Sequence, residues 1–185
     1  MLCPCGIGKK FAVCCSAIIE GKKQAESPEQ LMRSRYSAYA TKNAQYLFDT
    51  YANATQQSQS VEEIKQWANS CQWIKLNIIN SSAVNDSSLS KDSSLPTVEF
   101  EAFYLIGNKM YLLREKSRFT LENTLHTARS STSSKLNNQM RWLYLDGNIV
   151  AHNEISTIKR NAPCPCSVNQ NKTVKKKFKH CCAKH

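Results

Sequence analysis

The sequence predicts an α+β fold in which helices come first and an antiparallel sheet follows, with a small cysteine module at each end. Three observations carry this reading. Apolar residues recur at helical spacing between residues 27 and 70, they alternate at period two after Cys71, and eight of the nine cysteines cluster near residues 3–15 and 164–182. The 185 residues, 41% of them apolar, suffice for one core of ordinary size plus appendages. The expected division is an N-terminal module over 1–26, an α+β domain over 27–157 and a C-terminal module over 158–185.

The first module reads CPCGIGKKFAVCC from Cys3 to Cys15. No stretch approaches the roughly eighteen consecutive apolar residues of a membrane span, and Met1-Leu2-Cys3-Pro4-Cys5 lacks the basic-then-apolar layout of a secretory leader. The expected location is cytoplasmic, with no membrane partner, and there thiols are kept reduced. Adjacent cysteines such as Cys14 and Cys15 have α-carbons about 3.8 Å apart, below the roughly 4.4 Å at which ordinary disulfides begin. Four thiolates, from Cys3, Cys5, Cys14 and Cys15, can instead converge on one tetrahedral zinc ion, with Pro4, Gly6 and Gly8 supplying a tight backbone. All-sulfur tetrahedral sites also suit iron, but a closed module this small favours structural zinc.

Ser27-Pro28-Glu29-Gln30 opens the first long helix: serine as N-cap, proline at the first helical position and glutamine to close a capping box. Leu31, Met32, Tyr36, Ala38 and Tyr39 give it an apolar face, and it ends near Thr41. A second short helix follows Asn43. Ser60-Val61-Glu62-Glu63 repeats the capping logic ahead of a helix that buries Val61, Ile64 and Trp67.

The period then changes. Ile74, Leu76 and Ile78 share one face of a first strand; Val98, Phe100, Ala102 and Tyr104 share one face of a second, with Glu99 and Glu101 opposite. Gly107-Asn108 is read as a hairpin turn into a strand from Met110 to Leu121, and Arg141 to Leu145 alternates before a turn at Asp146-Gly147. Asn80–Pro96, with seven serines, and Asn123–Gln139 read as long solvated loops.

The second module places Cys164 and Cys166 fourteen residues before Cys181 and Cys182, where the first module has eight. Lengthening a flexible loop from eight to fourteen residues costs only about 0.5 kcal/mol, so a second zinc is expected. Asn169 or Asn171 takes over the turn from the missing glycines, and His180 or His185 is the alternative to one sulfur. Charge concentrates here. Residues 159–185 hold eight Lys or Arg and no acid, whereas residues 29–158 balance thirteen against twelve.

CPCGIGKKFAVCC resembles the SEC-C zinc motif, named for the C-terminal tail of the SecA translocation motor. Such a motif at both ends, with Leu31-Met32-Arg33-Ser34-Arg35-Tyr36 after the first, and Glu115-x-Ser117-Arg118-Phe119 and Trp142-x-Tyr144-x-Asp146-Gly147 before the second, is similar to the bacterial YchJ-like family. The resemblance covers nearly the whole chain. It implies a central domain of the nuclear-transport-factor-2-like type, a curved sheet wrapped by helices into a cone with a cavity. It also implies protein contacts, since the similar SecA module engages the acidic chaperone SecB and ribosomes. The stretched second motif and the long Ser/Thr-rich stretch from Asn123 to Gln139 depart from the family pattern.

Candidate cavity residues are Arg33, Arg35, Tyr36, Glu115 and Arg118, with two readings. Either Arg33 or Arg35 pairs with Glu115 and locks helix to sheet, or the group binds a small anion. His126, Asp49, Asp146 and His152, the last read as lying beyond the final strand, do not assemble into an acid–base set, so no catalytic residues are assigned. Cys71 reads as a small buried hydrophobe. Lys175, Lys176, Lys177 and Lys179 offer contacts to an acidic protein or to phosphate, while the lack of arginine in residues 161–185 argues against base reading. The sequence therefore reads first as a two-zinc binding or adaptor protein, second as an enzyme or anion binder using the cavity, and third as a nucleic-acid-associated protein.

Overall fold

The computed structural model describes residues 1–82, 95–125, 138–166, 169 and 173–184. Its helices are α1 (Cys15–Ile19), α2 (Pro28–Ala40), α3 (Ala44–Asp49), α4 (Asn53–Gln56) and α5 (Val61–Ser70). Four strands follow, β1 (Gln72–Ser81), β2 (Thr97–Ile106), β3 (Lys109–Leu125) and β4 (Asn138–Thr157), each antiparallel to the next in one sheet ordered β1-β2-β3-β4. No helix among the described residues is long and apolar enough to cross a membrane.

The helix starts follow their caps. Ser27 accepts the Gln30 N–H at 3.2 Å, Asn43 accepts the Tyr46 N–H at 3.1 Å and Ser60 accepts the Glu63 N–H at 3.4 Å. The return bond of the first cap is displaced by one residue: the Gln30 side chain accepts from the Glu26 N–H. α4 is a single turn with no side-chain cap, and nothing in the local pattern announced it.

One face of the sheet carries the main core. Leu76, Val98, Phe100, Ala102 and Phe119 meet Leu31, Met32 and Tyr36 of α2 there, all buried. Phe103 and Leu105 alternate with Ala102 and Tyr104 and therefore point to the other face, where the C-terminal module sits. Ile74 and Leu105 form a buried cluster with Cys164, Cys166, Phe178 and Cys182. The N-terminal module rests on α2, where Arg33 donates to the Cys5 carbonyl at 3.0 Å and Cys3 Sγ lies 3.6 Å from Ser37 Oγ. Both modules are thus docked on the middle of the chain.

Three sequence expectations change. Ile74 does not share a face with Leu76, because a register shift between Trp73 and Lys75 turns it toward the C-terminal module. Asp146-Gly147 is no turn: β4 continues through both, pairing Asp146 with Arg118 and Gly147 with Ser117. The two polar stretches are strand at their ends, with Asn80 and Ser81 in β1 and Asn123 paired to Met140. Residues 83–94 and 126–137, including His126, lie outside the described residues.

Candidate metal centres and a central cavity

In the first module, Cys3 N–H donates to the Lys9 carbonyl at 2.9 Å and Cys14 N–H to the Phe11 carbonyl at 3.0 Å, which folds the loop back on itself. Gly6 and Gly8 stand at φ 80° and 81°, a left-handed backbone that a side chain would strain. The four sulfurs of Cys3, Cys5, Cys14 and Cys15 end within 4.8 Å of one another. Cys5 and Cys14 sulfurs are 3.8 Å apart and those of Cys14 and Cys15 3.9 Å. A tetrahedron with metal–sulfur bonds of about 2.3 Å has sulfur–sulfur edges of about 3.8 Å, so the set fits a single ion.

The second module reaches the same arrangement by another route. Buried Asn169 donates from Nδ2 to the Cys164 and Lys176 carbonyls at 2.9 and 3.0 Å, and its Oδ1 accepts the Lys176 N–H at 2.6 Å. One amide thereby ties the two ends of the longer loop, the task that glycine turns perform in the first. Cys164, Cys166, Cys181 and Cys182 sulfurs also lie within 4.8 Å of one another, while His180 is exposed outside the group. Among the described residues both clusters are all-cysteine; Asn171 and His185 fall outside that set.

The thiols within each cluster ionise unequally. Hydrogen bonds with Cys15 and Cys5 hold Cys3 below the ordinary thiol range, while bonds to Cys3 and Cys5 push Cys15 above it. Burial raises Cys166 to about 11 and lifts Cys182 as well. Without metal each cluster keeps protons that an ion must displace, so metal affinity falls as the pH is lowered.

Between α2, α5 and the sheet lies a cavity of about 260 Å³, just below the roughly 300–1,000 Å³ of ordinary ligand pockets. Arg35, Tyr36 and Glu115 line it; Arg33 and Arg118 do not. Arg33 pairs with Glu29 one helical turn away at 2.8 Å, and exposed Arg118 makes a two-pronged bond to Asp146. Helix-to-sheet locking through Glu115 is absent among the described residues, because neither Arg33 nor Arg35 forms an ion pair with it. The Glu115 carboxylate instead accepts from Ser117 Oγ at 2.7 Å and Tyr144 Oη at 2.8 Å.

Arg35, only 3% exposed, uses Nη1 for the Leu47 carbonyl at 2.8 Å and Thr50 Oγ1 at 2.7 Å. Its guanidinium carbon lies 4.5 Å from the centroids of both Tyr51 and Tyr144, whose rings meet at 89°. Backbone pairing builds that corner: Tyr144 N–H donates to the Thr50 carbonyl at 2.9 Å, and Ala52 N–H to the Tyr144 carbonyl at 2.8 Å. Burial pushes the Tyr36, Tyr39 and Tyr144 hydroxyls above the usual phenol range, so each stays a neutral donor. His152 sits within β4, lines the cavity and meets Tyr104 Oη at 2.5 Å. Sequence reasoning missed Tyr51, Trp73 and Tyr144 as cavity residues and placed His152 past the sheet. The β-branched pair Ile149-Val150 just past Asp146-Gly147 was the signal that the strand runs on to His152. Cys71 is buried and its thiol is raised by burial.

A four-stranded meander covered on one face by helices, hollow between them, and carrying two four-cysteine modules defines a nuclear-transport-factor-2-like protein of the SEC-C metal-motif class. Residues 27–147 match the model of the YchJ middle NTF2-like domain, and the chain belongs to this YchJ family. A UPF0225 protein of Photorhabdus laumondii is 34% identical over 183 residues, 98% of each chain, and one from Shewanella sp. strain MR-4 is 32% identical over 98% of this chain and 96% of its own. Among solved structures, a SEC-C motif containing protein from Psychrobacter arcticus superposes with a TM-score of 0.63 at 24% identity, over 100% of this chain and 97% of that one. Another, from Rhodopseudomonas palustris, gives 0.62 at 29% identity, over 82% of this chain and all of the other.

Proposed function

We propose that the protein is a zinc-dependent binding or adaptor protein, in which each four-cysteine cluster holds one zinc ion and the C-terminal module presents a basic face to an acidic protein segment. Purified without chelator, it should carry about two zinc ions per chain, released together with proton uptake as the pH is lowered. Elemental analysis finding iron, or no metal, would overturn the zinc assignment.

The observation that carries the adaptor reading is the state of the lysines. Lys175, Lys176 and Lys177 are exposed and form no ion pair among the described residues. Lys9, Lys10, Lys42 and Lys116 also lack an ion pair among the described residues, but where Lys109 meets Glu154 and Arg114 meets Glu99, the stretch 159–185 contains no acidic residue at all to answer its eight basic ones. A run of uncompensated cations on a small metal-organised frame attracts an acidic partner at long range and orients it. The SEC-C likeness supports protein contacts of this kind, and the absence of arginine from residues 161–185 disfavours base-specific nucleic-acid binding.

Fluorescence anisotropy with a labelled Asp/Glu-rich peptide and a labelled single-stranded RNA tests the proposal. Replacing Lys175, Lys176, Lys177 and Lys179 by Gln should weaken peptide binding by about tenfold or more and flatten its salt dependence. Unchanged peptide binding would sink the adaptor reading, and tighter binding of RNA than of peptide would replace it with the nucleic-acid one.

A further inference from the structure

The cavity holds a charge that the protein leaves incompletely answered. Arg35 is buried, its Nη1 is engaged by two neutral oxygens, and no acceptor among the described residues meets Nε or Nη2. That open edge is the side of a guanidinium that grips a carboxylate with two parallel hydrogen bonds. Two tyrosine rings offset part of the cost of burying the cation, but they offer π faces and supply no acceptor for the remaining N–H groups. Trp73 lines the same cavity, and its Nε1 is buried without a hydrogen-bond partner among the described residues. An unsatisfied buried donor is rare in folded proteins, and here it sits on the wall of a cavity that also holds an incompletely bonded arginine, which calls for an acceptor from outside the chain.

The rest of the lining sets the kind of acceptor. Tyr36, Tyr39, Trp67 and Phe100 make the wall aromatic, and Trp73 packs against Tyr39 at 5.0 Å and edge-on to Trp67 at 6.3 Å. A flat apolar body fits such a surface. The Glu115 carboxylate lines the same cavity, beyond Tyr144 from Arg35, and repels a second negative charge. Exposed Ile149 and His152 of β4, the strand at the sheet edge, also line it, which places the opening along that edge strand.

We propose that the central cavity binds a small monocarboxylate with a flat apolar body, its carboxylate gripped by the Nε–Nη2 edge of Arg35. The site is separate from the lysine face of the C-terminal module, so either assignment can fail without the other.

Trp67 and Trp73 on the wall make tryptophan fluorescence a direct readout, with benzoate as the probe and benzamide and inorganic phosphate as comparisons on the zinc-loaded, full-length protein. Benzoate should bind at sub-millimolar concentration and about 30-fold more tightly than benzamide, the scale of a lost charge-assisted pair. Arg35→Met should reduce benzoate affinity by a similar factor, roughly 30-fold, while Arg118→Met, remote from the cavity, should leave it unchanged. No benzoate binding up to about 10 mM would overturn the proposal, as would equal affinity for benzamide or phosphate or an unaffected Arg35→Met protein. Should Arg35→Met fail to fold by circular dichroism, the comparison of the three probes on the wild-type protein decides alone.

Discussion

Removing the metal with a strong chelator is expected to lower the thermal midpoint of the whole chain, by roughly 10 °C or more, and to create a surface that binds an apolar dye. Modules of this size cannot fold by burial alone, and an apparent metal-binding energy of about 10–16 kcal/mol is in such cases folding energy. The loss spreads inward because Cys164, Cys166 and Cys182 share a buried cluster with Ile74 and Leu105 of the sheet. Phe103 and Met110 also lean on that cluster, and both become exposed when the module lets go. Replacing Cys164 and Cys166 together by Ser should reproduce the effect with one metal ion lost. The core between α2 and the sheet should still melt cooperatively, since Leu31, Tyr36, Phe100 and Phe119 owe nothing to the metal. A melt left unchanged after elemental analysis has shown the metal gone would mean that the modules are ornaments on the fold.

Legibility differed between the two candidate sites for a physical reason. The cysteine clusters are written in local spacing, and the ligands of each lie within nineteen residues of sequence, from Cys3 to Cys15 and from Cys164 to Cys182. Helix starts were equally local, because Ser27, Asn43 and Ser60 cap within three residues of themselves. The cavity is not local. Arg35 is held by a backbone carbonyl, a threonine hydroxyl and two ring faces, none of which carries the opposite charge by which sequence reasoning searches for a partner. Glu115, the charge that search selects, is satisfied by Ser117 and Tyr144 instead.

The end of the sheet was misread because β4 changes step. Register shifts at Arg118/Phe119 and Arg114/Glu115 leave Leu145 and Val150 as extra residues, and each one reverses which positions face inward. Tyr144, Gly147, Ile149 and His152 lie opposite Phe119, Ser117, Glu115 and Leu113 as a result. A strict period of two fails after Leu145, and Asp-Gly then looks like a hairpin turn.

Gly147 has a use that the turn reading hid, and it gives the second large expected effect. A β-carbon built there would fall within the Glu115 carboxylate and 2.7 Å from Tyr144 Oη, so the bond between those two groups runs through the space that glycine leaves. Gly147→Ala must push the carboxylate away from both Tyr144 and Ser117. Overpacking costs typically about 1–3 kcal/mol and hydrogen bonds to a charged group contribute about 1.5–3 kcal/mol, so a loss of roughly 2–4 kcal/mol in denaturant unfolding is expected. The cause can be isolated with a second substitution. Glu115→Ala removes the group that the new methyl would strike, so the Glu115→Ala/Gly147→Ala protein should be markedly more stable than the two single losses added together, a coupling of about 1 kcal/mol or more. Strict additivity would show that Gly147 matters only for backbone freedom. The same pair reports on the cavity: Tyr144 also flanks Arg35, so Gly147→Ala should disturb the aromatic corner and shift the near-ultraviolet circular dichroism of its rings, whereas a purely backbone effect would leave that signal in place.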